Sequence, residues 1–149
     1  MIMRVIGVAL ACLAVGFLSQ LAQRYLQTEY LNIFLSENLI TILIALLAIN
    51  SATAGIVLTK IRELVESHGN EQAFTSTKNE MKLSVREQIV LVILSVVLLT
   101  ISSSGKLAVN ADLALLLNST ICGIFFYSLY VLYDTAIGVM VIIDFKLSD

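Results

Sequence analysis

Residues 39–59, LITILIALLAINSATAGIVLT, run for 21 positions without a charged side chain. Roughly 20 apolar residues of helix cross a bilayer core. Lipid offers no partner to a backbone amide or carbonyl, so a crossing must be helical or part of a closed barrel. Similar runs occupy 5–21, 88–103 and 112–132. The chain is therefore expected to be an all-α membrane protein, one domain of four transmembrane helices with lipid bilayer as its first partner. Only 13% of its residues are charged, against about 25% in a soluble domain.

The absence of proline and tryptophan predicts helices without proline kinks and an interfacial belt built from tyrosine. A net charge of −2 argues against direct nucleic-acid binding. Cys12 and Cys122 lie inside apolar runs, where a thiol behaves as a small hydrophobe rather than a disulfide partner. The first run follows Arg4 in the manner of a signal peptide, but no small-x-small site closes it. Ala9-Leu10-Ala11-Cys12, similar to a lipoprotein box, falls too early in the run. The segment is expected to be retained as a span.

Lysine and arginine give an orientation. Four spans put Arg4, Lys60, Arg62, Lys78, Lys82, Arg86 and Lys146 on one side, and Arg24 and Lys106 on the other. The positive-inside rule then places both termini and the 60–87 connection in the cytoplasm, with a bacterial inner membrane as the expected location. That connection is expected to be a loop with helical ends. Ile61, Leu64 and Val65 continue span two as an amphipathic extension, and Ser84-Val85-Arg86-Glu87 reads as a capping box opening span three. Ser67-His68-Gly69-Asn70 is expected to stop the helix, leaving 71–83 as a loop or short element. On the other side, 22–38 suits a helix lying on the membrane surface, with Tyr25 and Tyr30 in the headgroup zone. Residues 102–111 suit a tight turn around Gly105.

Residues 112–145 would extend about 50 Å as one helix, against roughly 30 Å of hydrocarbon. Asp134 would sit near the inner interface, and the apolar stretch 136–143 beyond it needs cover from the central connection, from sister subunits or from a partner. That surface, in the 134–149 tail, predicts partner docking through Lys60, Arg62, Leu64, Lys78, Lys82, Arg86, Val139 and Ile142. An ion or metal centre is not expected, since His68 stands alone and no ligand spacing, catalytic triad or phosphate loop is present. The chain is thus expected to be non-enzymatic and without cofactors.

Neutral polar residues within the spans are the remaining signal: Asn50, Ser51 and Thr53, then Ser95 and Thr100, then Asn118, Ser119 and Thr120. Asn50, halfway along its span, needs partners in hydrocarbon. Ala48, Asn50, Ser51, Ala52 and Gly55 together predict a surface for helix packing or self-association, and Gly7, Ala11 and Ala14 give span one a similar strip. Asn50 and Thr53 lining a narrow pore is the alternative. No internal repeat of the kind that builds transporter sites is visible.

In overall architecture, with LITILIALLAINSATAGIVLTKIRELVE and MKLSVREQIVLVILSVVLL around the central connection, the chain resembles the KwaA membrane subunits of the Kiwa anti-phage defence system. It is also similar to the RexB membrane proteins of phage exclusion. The first resemblance implies a homo-oligomeric sensor that recruits a cytoplasmic effector, and the second implies a channel that depolarises the membrane. The expected function is the sensor or scaffold, with the pore as its rival.

Overall fold

The computed structural model describes residues 2–68, 71–104 and 111–147. They form four helices, α1 (Ile2–Leu26), α2 (Tyr30–His68), α3 (Glu71–Ser102) and α4 (Ala111–Leu147). All four are long and apolar enough to cross a membrane. Central α4 packs against the other three, α2 and α3 pack against each other, and α1 leans chiefly on α4. The start of α1, the α2–α3 connection and the end of α4 gather at one end of the bundle, called here the hairpin end. Val5 accordingly lines a cleft with Asp134 and Gly138, whereas Gln20 lines another with Ala114 at the opposite, turn end.

Three boundaries differ from expectation. The 60–87 connection is almost wholly helical, with α2 running to His68 and α3 starting at Glu71, while Gly69 and Asn70 fall outside the described residues. Ser84 is mid-helix and caps nothing, and Glu87 accepts a hydrogen bond from the Tyr127 hydroxyl at 3.3 Å. Packing explains the gain in helix. Ala54, Val57, Ile61 and Met81 make a buried cluster against which Val65, Val85 and Val139 pack, so the α2–α3 hairpin and α4 bury apolar faces that none could bury alone. Part of the apolar surface beyond Asp134 is thereby covered from within the chain, although Ile137 and Met140 remain exposed.

The expected surface helix over 22–38 is also absent. α1 continues to Leu26 and α2 starts at Tyr30, with Leu35 in the core beside Leu39, Leu43, Leu91 and Ile121. The intervening turn is a Schellman motif. Thr28 donates its amide to the Gln23 carbonyl at 3.0 Å and Gln27 to that of Arg24 at 3.3 Å, with Gln27 in the left-handed region at φ 52°, where glycine is usual. Gly105 lies outside the described residues, and α3 ends at Ser102.

The small-residue contact inside the bundle is not either of the expected strips. Nothing approaches the Cβ position of Gly7 or Gly55 within 4 Å, and Ala11, Ala14, Ala48 and Ala52 are exposed. The close crossing is Gly16 of α1 on Gly123 of α4, where a Cβ on Gly16 would collide with the Ser119 carbonyl and the Gly123 amide. Elsewhere α1 stands clear of α3, and a groove of about 410 Å³ opens between them over Gly123, Ile124 and Tyr127.

Gly16→Ala should therefore push α1 off α4 and cost about 1–3 kcal/mol. Gly7→Ala, in open space, should instead add up to about 1 kcal/mol through helix propensity. Reversible unfolding in mixed micelles measures both, and equal effects would contradict the crossing.

Candidate functional site

The buried side of α2 is a seam of Leu35, Leu39, Leu43, Leu46, Asn50, Ala54, Val57 and Ile61. Its spacing of four, four and three repeats every 11 residues, a period close to that of a straight helix that favours a slight right-handed wrap around its neighbours. Asn50 occupies the position that Leu39 and Ile61 hold one repeat away on either side, so one carboxamide interrupts an otherwise aliphatic line. It is fully buried.

Its partners come from both neighbouring helices. Asn50 Nδ2 donates to Ser84 Oγ of α3 at 2.7 Å. Ser84 Oγ in turn lies 2.9 Å from Thr135 Oγ1 of α4. Thr135 also donates to the Val131 carbonyl one turn back at 3.0 Å, so Ser84 is left to donate to Thr135. One hydrogen-bond chain thus crosses three helices at a single level. Neighbouring polar atoms are less satisfied. Asn50 Oδ1, both amide atoms of Gln88 and Ser95 Oγ are buried without a protein partner. Ser84, Gln88 and Ser95, four and eleven residues apart, fall on one stripe of α3.

That level also fixes how the apolar belts line up. Asn50 stands ten residues before Lys60 on α2, whereas Thr135 directly follows Asp134 on α4. The charge-free stretch of α2 therefore sits about ten residues, roughly 15 Å, closer to the hairpin end than that of α4. At the turn end the counterpart is Glu37, which lies well inside the level of Asp112 and is exposed.

The residues expected at a docking surface separate. Arg62 and Lys78 meet across the α2–α3 hairpin, lining a cleft of about 340 Å³ whose apolar wall is Leu58, Ile61 and Val65. Lys60 and Lys82 are exposed nearby. Arg86 instead lines the α1–α3 groove, and Val139 packs inward on the Ala54–Met81 cluster. The side chains of Leu64 and Ile142 lie outside the described residues, as does that of His68. Lys60 and Arg62 pair with Glu63 and Glu66 at 2.6 and 2.9 Å; exposed pairs along one helix contribute about 0–1 kcal/mol, little enough for a partner to displace. Among the described residues no three His, Cys, Asp or Glu side chains converge as a metal site would require.

The sequence reading missed Ser84, Gln88 and Thr135 as intramembrane polar groups. Their signal was spacing: Ser128 and Thr135 are seven apart on α4 and both are buried, matching the α3 stripe opposite. Ser51 and Thr53, named alongside Asn50, do not join the chain of bonds; Ser51 is exposed and Thr53 half-buried.

A double-mutant cycle of Asn50→Ala and Ser84→Ala should show a coupling of about 0.6–2 kcal/mol. Ser128→Ala should couple to neither, because its hydroxyl bonds its own helix at the Phe125 carbonyl. Zero coupling in unfolding titrations would contradict the bond across α2 and α3.

Comparison with protein-family models, with curated proteins and with solved structures returned no match.

Proposed function

We propose that the chain is a non-enzymatic sensor or scaffold subunit that self-associates in a bacterial inner membrane and docks a soluble effector on its hairpin end, which faces the cytoplasm. The observation that carries this reading is the hairpin-end cleft, where charges of both helices, Arg62 with its partner Glu66 from α2 and Lys78 from α3, rim an apolar wall beyond the α2–α4 hydrogen-bond chain. Apolar anchoring with a charged rim is how a protein surface combines affinity with choice of partner. A role in anti-phage defence follows from the resemblance to KwaA subunits alone.

Self-association has separate support. Glu37, Thr41, Ile44, Ala48, Ser51, Gly55 and Thr59 make one exposed stripe along α2. A carboxylate on such a stripe is costly against hydrocarbon, and small residues beside it let a second α2 approach closely. The rival pore reading draws on the buried atoms of Asn50, Gln88 and Ser95 that lack protein partners, since polar groups of this kind line water-filled paths.

Charge reversal at Arg62 and Lys78 should abolish co-purification of a soluble protein encoded beside this chain, with membrane insertion unchanged. Gly55→Leu should lower the oligomer size in native gels. A cysteine replacing Lys78 should resist membrane-impermeant thiol reagents applied to intact cells; labelling there would invert the orientation. Expression that dissipates membrane potential without the neighbour, together with unaffected co-purification, would favour the pore.

A further inference from the structure

At the turn end, the last turns of α1 and the first turns of α2 and α4 border an open cavity of about 420 Å³, within the usual range for small-ligand sites. Half of its lining residues are carboxamides: Gln20, Gln23 and Gln27 from α1 and its turn, Asn32 from α2 and Asn118 from α4. Gln20 and Gln23 are only 4% and 8% exposed. They are held in place by bonds between helices. Gln20 Nε2 donates to Asn32 Oδ1 at 2.6 Å and Gln23 Nε2 to the same oxygen at 3.3 Å. Gln23 Oε1 accepts the Leu31 amide at 3.1 Å, capping the start of α2. Gln27, at the C-cap of α1, closes one side.

Two charges of opposite sign, Arg24 and Glu29, share this wall. Arg24 donates to the Ala111 carbonyl through one long bond at 3.4 Å, which leaves most of its five donors directed elsewhere. Ala114 and Leu115 add an apolar floor beside these polar groups, which suits a short alkyl body carrying charge at both ends. The occupant such a wall matches is compact, carries both charges and has no net charge.

We infer that the turn-end cavity binds a small zwitterion, its ammonium group against Glu29, its anionic group against Arg24, and its body hydrogen-bonded by the carboxamides. The inference rests on the sensor reading for its purpose, because it supplies that reading with the chemical class of a stimulus. Two sources present this chemistry: a free solute of the dipeptide kind, and the headgroup of phosphatidylethanolamine entering from the surrounding leaflet.

The test uses the full chain in phosphatidylglycerol nanodiscs, titrated with glycylglycine and with glycerophosphoethanolamine, and with trehalose as an uncharged control. Saturable binding of at least one zwitterion is expected, weakened about tenfold or more by Arg24→Gln and by Glu29→Gln, since each removes a charge-assisted bond. Both side chains are exposed, so these variants should fold, and Asn118→Leu provides an independent block by filling the cavity. Replacing the lipid with phosphatidylethanolamine separates the sources. A rise in melting temperature that both charge variants lose assigns the headgroup; an unchanged melting temperature with glycylglycine binding retained assigns the free solute. The inference is overturned if neither zwitterion binds and phosphatidylethanolamine does not stabilise the protein, if both charge variants bind as tightly as wild type, or if trehalose binds equally well. Co-purification of the neighbour-encoded protein remains a separate measurement, so loss of this site and loss of the docking function are told apart.

Discussion

The hydrogen-bond chain from Asn50 through Ser84 to Thr135 sets the arrangement of three of the four helices. An aliphatic seam is tolerant of sliding, because Leu, Val and Ile pack almost as well one repeat up or down. A carboxamide in hydrocarbon is not tolerant, since only one register brings it against Ser84. A single buried Asn fixes register in coiled coils by the same logic. Once α2 is fixed against α3 and α4, the hairpin must extend beyond Asp134, and its cluster around Ile61 and Met81 follows.

The fourth helix is attached by different physics. α1 contributes no side chain to that chain of bonds and meets α4 through the backbone approach of Gly16 to Gly123, supplemented at the turn end by Gln20 and Gln23 reaching Asn32. Close glycine crossings rely on van der Waals contact, which in lipid replaces the hydrophobic drive between helices. The two ends of the bundle are thus built from different materials, a cavity rich in carboxamides at one and an apolar-walled cleft with a charged rim at the other, with α4 running the full distance between them.

Hydropathy made the helices legible, because 39–59 and its companions have no alternative fate in a bilayer. Their ends were not legible. Ser84-Val85-Arg86-Glu87 satisfies the capping pattern, yet each residue is committed to another helix: Ser84 to Asn50 and Thr135, Glu87 to Tyr127. A local pattern cannot report a partner 34 or 51 positions away. The same blindness hid the site residues. Arg62 and Lys78 were read as docking charges, but their meeting in one cleft was not visible until the hairpin closed; Gln20 was read inside span one and Gln23 and Asn32 in a surface helix, until the turn folded them together. Asn50 was the exception, since a carboxamide midway along a span announces its need for partners whatever the neighbours are.

The offset of α2 has a consequence for the membrane itself. No flat slab of one thickness suits all four helices: a slab matched to α4 leaves exposed apolar side chains such as Ile56 beyond its edge and draws Glu37 beneath the other edge. The bilayer around α2 must then thicken toward the hairpin end and dimple at the turn end, at a fraction of a kcal/mol for each ångström of mismatch. The deformation lies along one face, so it tilts the bundle, and a second such face placed against it would relieve it. For copies that associate as proposed, membrane thickness and the acyl-chain length that sets it would bias how many gather, without any ligand binding at all.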